Sequence, residues 1–222
     1  MKKFDFYEFA AILCPGALLV LALARLMPQL AFLANKDSYS FGDLGIFVIL
    51  SYIAGELVQA LGDVIAKVWW KFWCGLPTDW VRSGKRELLA PQQAAQLPAK
   101  LLELTGITAP HGVTRFSQDD WYGITRQVYA VILHARRSSR VDIFNAYYGM
   151  FRGLTASLLL VIVASVIERG CLHPRLYALL IGAFILALFR MHRFGVNYAR
   201  ELFVQFLTTQ KDEKPLPPVK EE

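Results

Sequence analysis

The sequence predicts an all-α protein: a four-helix transmembrane bundle with a helical cytoplasmic insert between spans 2 and 3. Three observations carry that expectation. The 222 residues are 55% hydrophobic and only 19% charged, with positive mean hydropathy, which is apolar for a soluble domain of this length. The apolar residues gather into four blocks, near 9–24, 44–61, 154–167 and 176–189, and no strand-like alternation persists between them. Finally, 20 of the 24 Lys and Arg fall together when the N terminus, 67–152 and everything from Arg190 onward share one side. Only Arg25, Lys36, Arg169 and Arg175 are left opposite. The positive-inside rule then puts both termini and the insert in the cytoplasm, and a bacterial inner membrane is the expected compartment. The last two blocks are shorter than the roughly 20 residues of a span, but aromatic and small residues extend both on the cytoplasmic side.

Four segments follow: 1–66 is an N-terminal helix pair, 67–140 an interfacial anchor with the insert, 141–209 a C-terminal pair with an extended last helix, and 210–222 a disordered tail. In the first, Lys2 and Lys3 precede an apolar run ending in a small-x-small pattern at Ala22 and Ala24. A cleaved signal would look similar. Asp5, Glu8 and the Pro15-Gly16 pair oppose it, so the segment is expected to stay as a helix kinked at Pro15.

The second block is the expected centre of the bundle, the helix against which the others pack. At 100° per residue, Ser51, Tyr52, Gly55, Glu56, Gln59, Gly62 and Asp63 fall within one arc of about 140°, opposite Ile46, Leu50, Ile53 and Leu57. A charged group facing lipid costs on the order of 2.5 to 3.5 kcal/mol on insertion scales, so this polar seam should turn inward. Counting ~1.5 Å per residue from Leu44 sets Glu56 about 18 Å into a core of roughly 30 Å, with Asp63 near the cytoplasmic face. Arg152, Arg190 and Arg193 should reach that face and serve as charge partners for Asp63 and Glu56, the alternative being that Glu56 binds a proton or a cation in a partly hydrated cavity. Gly55 and Gly62 allow a neighbouring helix to come close.

Next, Lys67, Trp69, Trp70, Lys71, Trp73 and Trp80 place four of the five tryptophans within fourteen residues. Rings at headgroup depth with ammonium groups beside them form an interfacial anchor. The same mixture can bind single-stranded nucleic acid, but its position at the end of a span favours the lipid bilayer, and no nucleic-acid partner is expected. In the insert, Pro91 opens a helix over 92–104 with an interruption at Pro98 and a stop at Gly106. Ser117 caps a second helix over 118–137, with Trp121, Ile124, Val128, Val131 and Ile132 on its apolar face. Sixty residues make a small core, so the insert should need the membrane surface or a second subunit to complete it. The third span should run on from Val141 without a break. The fourth should continue from Pro174 to about Thr209, with Phe194, Tyr198, Leu202 and Phe206 on one ridge that covers an insert helix or a neighbouring protomer.

Catalytic motifs are missing. Gly84 and Lys85 follow Asp79 where a phosphate loop needs glycine, and Arg86 stands where it needs Ser or Thr. His111, His134, His173 and His192 are scattered, Asp119 and Asp120 fit a helix start, and Cys14, Cys74 and Cys171 have no paired spacing. No catalytic residue, metal site or cofactor is expected. A lipid enzyme using Asp63 with Arg152 and Arg193 lacks a nucleophile and base. The expected role is a non-enzymatic structural or partner-docking membrane component, acting as a homo-oligomer or with a cytosolic protein. The alternative is an oligomeric channel or pore lined by the polar face of the second span.

Overall fold

The computed structural model describes residues 6–27, 41–168 and 173–210. The expected external connection over 28–40, the tail 211–222, and Lys2, Lys3, Lys36, Arg169 and Cys171 lie outside the described residues. The order is α1 (Phe6–Leu26), α2 (Phe41–Phe72), α3 (Pro77–Ser83), α4 (Pro91–Thr105), a single 3-10 turn (Val113–Arg115), α5 (Gln118–His134), α6 (Ser139–Ile167) and α7 (Pro174–Thr208), with no strand among the described residues. The helices α2, α6 and α7 are long and apolar enough to cross a membrane, while the apolar part of α1, Ala11–Leu26, is shorter.

The chain divides into two compact units. The first takes the chain through Trp69 and Ala146–Phe194. At its core Leu19, Val58, Ala156 and Val161 pack together, with Leu23, Leu61, Leu160 and Leu180 around them. Its most buried long helix is α6 rather than α2: 39% of the apolar window of α6 is buried, against 17% for α2. That corrects the expectation that α2 lies at the centre. The reason is side-chain size, because Gly153, Thr155, Ala156 and Ser157 are all buried in succession on α6 and let neighbours approach on several sides. On α2, by contrast, Ile46, Ile49, Ile53 and Leu57 remain exposed. The hydroxyls of α6 need no water. Thr155 Oγ1 donates to the Phe151 carbonyl and Ser165 Oγ to that of Val161, both at 2.7 Å, as a helix in lipid requires.

The second unit takes Trp70–Asn145 and the chain from Gly195. Here Trp121 is fully buried. Its ring stacks on Phe116 and, at 5.9 Å, on Phe203, and its indole N–H donates to the Thr78 carbonyl at 2.9 Å. Leu97, Leu101, Val128, Ile132, Leu202 and Phe206 fill the rest of this core. The insert therefore completes its apolar core with its own chain, the end of α7. This corrects the expectation that membrane surface or a second subunit was needed.

Local signals set the helix ends in this unit. Pro77 and Pro91 open α3 and α4, and Gly84 and Gly106 close them in the left-handed conformation. Ser117 Oγ accepts from the Asp120 N–H at 3.1 Å. The expected interruption at Pro98 is absent: α4 runs through it, because the lost donor belongs to the carbonyl of Ala94, an exposed residue that water can reach. The end of α5 comes three residues early, where Arg136 takes a φ of 58° and the Arg137 N–H donates back to the Ile132 carbonyl at 2.9 Å.

Candidate functional site: a polar junction between helices of the first unit

The junction begins at Pro15. Inside α1 this residue has no N–H to give, so the carbonyl one turn earlier, at Ala11, loses its helical donor. Gln59 of α2 supplies the replacement, its Nε2 donating to Ala11 O and to Gly149 O of α6, each at 3.1 Å. Ser157 of α6 donates to the Pro15 carbonyl at 2.8 Å. Three helices are thus tied at the turn around Pro15, in a setting where an unsatisfied backbone group costs several kcal/mol.

Small residues make the contact possible. A Cβ added at Gly16 would strike the Ser51 carbonyl, and one at Gly55 would strike that of Ile12. At Gly153 it would fall 2.8 Å from the Pro15 ring and 2.9 Å from Gln59 Nε2. At Gly62 it would meet Arg152 at 3.0 Å. Ser51 is completely buried, and among the described residues its hydroxyl has no hydrogen-bond partner.

From Gln59 the network runs to charge. Its Oε1 accepts from Arg152 Nε at 3.3 Å and Nη2 at 3.0 Å. Arg152 Nη1 makes an ion pair with Asp63, and the guanidinium lies 5.7 Å from the Tyr148 ring centre. Of the three arginines expected as charge partners, only Arg152 takes that role. Arg190 instead lies over the rings of Phe151 and Phe194, at 5.4 and 4.8 Å, an attraction to the ring faces. Arg193 is exposed and makes no ion pair among the described residues.

The seam of α2 does not turn inward as a whole. Ser51, Gly55 and Gly62 are buried and Gln59 is partly so, but Tyr52, Glu56 and Asp63 are exposed. Taking Ser51 as zero, the first group lies between about 0° and 80° around the helix and the second between about 100° and 140°. The edge of the helix packing passes between them. Asp63 compensates through Arg152, whereas Glu56 has, among the described residues, only the Tyr52 hydroxyl, one turn earlier, as a hydrogen-bond partner. The Tyr52 ring itself stacks on Phe9 at 5.9 Å.

The tryptophan cluster also differs from an interfacial girdle. Lys67 and Lys71 are exposed as expected, but Trp70 and Trp80 are 2% and 4% exposed. They meet edge to face at 6.1 Å, and the Trp80 N–H donates to the carbonyls of Trp73 and Gly75. An indole whose N–H is satisfied by backbone gains more from burial than from headgroup contact. Trp69 donates to His192 Nδ1 at 3.2 Å, and Trp73 carries the Arg86 guanidinium at 4.4 Å. Nearby, burial pushes the Asp79 carboxyl above its ordinary pKa, against the opposing effects of Arg82 and a hydrogen bond from Leu76.

Sequence reasoning found Gln59, Asp63 and Arg152 but missed Ser157, His192 and the Ala11 carbonyl. The signal for the last was present in Pro15, since a proline inside a membrane helix requires a donor from elsewhere. No protein-family model, curated protein or solved structure matches this chain.

Proposed function

We propose that the protein is a multi-pass integral membrane protein with four spans, α1 included, and both termini in the cytoplasm of a bacterial cell, where it serves as a non-enzymatic structural or partner-docking component of the inner membrane. One observation carries the reading. The polar groups of Gln59 and Arg152 are engaged in joining α1, α2 and α6, which is the work of a scaffold. Pro15 inside α1 supports counting it as a span, because a proline within a helix is tolerated in lipid when neighbours satisfy the freed carbonyl.

The pore reading needs Ser51, Gly55, Glu56, Gln59 and Asp63 to share one lumen. Ser51 and Gly55 are closed off by α1, while Glu56 and Asp63 lie on the exposed side, so this arrangement favours the scaffold. Planar-bilayer recording of the purified protein tests the choice. The scaffold predicts silence at every voltage and pH, for the wild type and Glu56→Gln alike. Reproducible currents whose ion selectivity changes in Glu56→Gln would replace it with the channel.

A further inference from the structure

We propose that the outward stripe of α2 around Glu56 docks a transmembrane helix of a second protein that carries a Lys or Arg at the depth of Glu56. The inference rests on the partner-docking reading above and names the partner's chemistry. Its basis is the carboxylate itself. Glu56 is exposed on the segment of α2 that is apolar enough to cross the membrane, about 18 Å from Leu44 in a hydrocarbon core of roughly 30 Å. An ionisable side chain at that depth is a functional site by default, and it pairs or faces a cavity rather than lipid. Among the described residues no cation lies against it, and the Tyr52 hydroxyl is its one hydrogen-bond partner. A single hydroxyl orients the carboxylate without neutralising it.

The surroundings suit a helix rather than an ion. Ile53 and Ile49 are exposed one and two turns before Glu56, at 52% and 60%, and Ala60 is exposed one turn after it. A small residue beside the acid leaves room for a long side chain from a neighbouring helix. Arg would meet the carboxylate with paired donors and Lys with a point charge.

A second copy of this chain fits less well. Copies in one membrane lie parallel, so the same depth on a copy presents another Glu56. Arg25 ends α1 and Arg175 opens α7, while Arg152 and Arg190, inside α6 and α7, stand where the apolar blocks near 154–167 and 176–189 meet their charged extensions. Arg152 is also already paired with Asp63. The complementary charge must come from a different chain.

The test uses the purified full chain, donor-labelled, in phosphatidylcholine vesicles with acceptor-labelled Leu/Ala transmembrane peptides. One peptide carries a central Arg and the other a central Leu. The Arg peptide should reach half-saturating energy transfer at about a tenfold lower peptide-to-lipid ratio, about 1.4 kcal/mol, and Glu56→Gln should abolish the difference. Ala60→Trp, which fills the space beside the acid, should do the same, while Asp63→Asn should keep it. Equal binding of the two peptides, or an Arg preference that survives Glu56→Gln, overturns the proposal. So does Glu56-dependent transfer between donor- and acceptor-labelled copies without peptide, which would assign the stripe to a second copy. Ion currents from peptide-free membranes would sink the scaffold reading itself, whereas peptide indifference in silent membranes sinks only this inference.

Discussion

Gln59 shows how much one amide can hold together. It donates to carbonyls of α1 and α6 and accepts from Arg152, so a substitution leaves two kinds of group stranded. Gln59→Leu keeps the volume but abandons the Ala11 carbonyl and the Nε and Nη2 donors of Arg152. We expect a loss of about 1–3 kcal/mol, the cost of an unsatisfied buried group. Thermal unfolding in detergent measures it, and an unchanged midpoint would mean that the amide is idle. A second residue reports on pH. Asp79 has its folded pKa raised by burial, so the folded state holds its proton to higher pH than the unfolded chain, whose carboxyl titrates near pH ~4. The sign is therefore a stability contribution present at low pH and lost as pH rises through the folded value. Asp79→Asn should flatten that decline above about pH 4. A wild-type curve that instead climbs through this window, with the climb absent in the variant, would reverse the assignment.

At the scale of elements, the contact of α1 with α2 is backbone on backbone. Gly55 has no room for a methyl because the atom it would strike is the Ile12 carbonyl rather than a flexible side-chain tip. Gly55→Ala should destabilise by about 1–3 kcal/mol through overpacking. Gly45 has nothing near its Cβ position, so Gly45→Ala in the same helix should be neutral or slightly stabilising. Comparing the two midpoints isolates the crossing from helix propensity, and equal effects would deny the close approach. The same helix explains why the polar arc was legible while its orientation was not. Angular position follows from 3.6 residues per turn, but the edge of the packed face, which separates Gln59 from Tyr52, depends on where α1 and α6 lie.

For the whole molecule, the decisive feature is that α7 supplies residues to both compact units. Its last turns bring Leu202, Phe203 and Phe206 into the core built on Trp121. Phe203→Ala should therefore cost about 3–5 kcal/mol and expose the Trp121 indole, seen as a red-shifted fluorescence maximum. Unaltered emission and stability would show that the insert does not depend on α7. The ridge at 194, 198, 202 and 206 was readable as a helix face looking for a cover. An insert helix or a neighbouring protomer was the expected cover, and the choice of Trp121, some eighty residues earlier in the chain, was not readable, because periodicity reports the direction of a face and not which residue meets it.

By itself the sequence determined the four long helices, α4 and α5, and most of their ends, but not α3. Apolar runs, prolines at first turns and glycines at last ones act within a few residues, and local sterics and hydrogen bonding suffice to place them. It also determined that α2 carries carboxylates where lipid is expected. Only the tertiary structure decided which of them is answered: Asp63 meets Arg152 and Glu56 faces outward. The two lie seven residues apart on nearly the same line of the helix, so their difference comes from what the rest of the bundle brings to each.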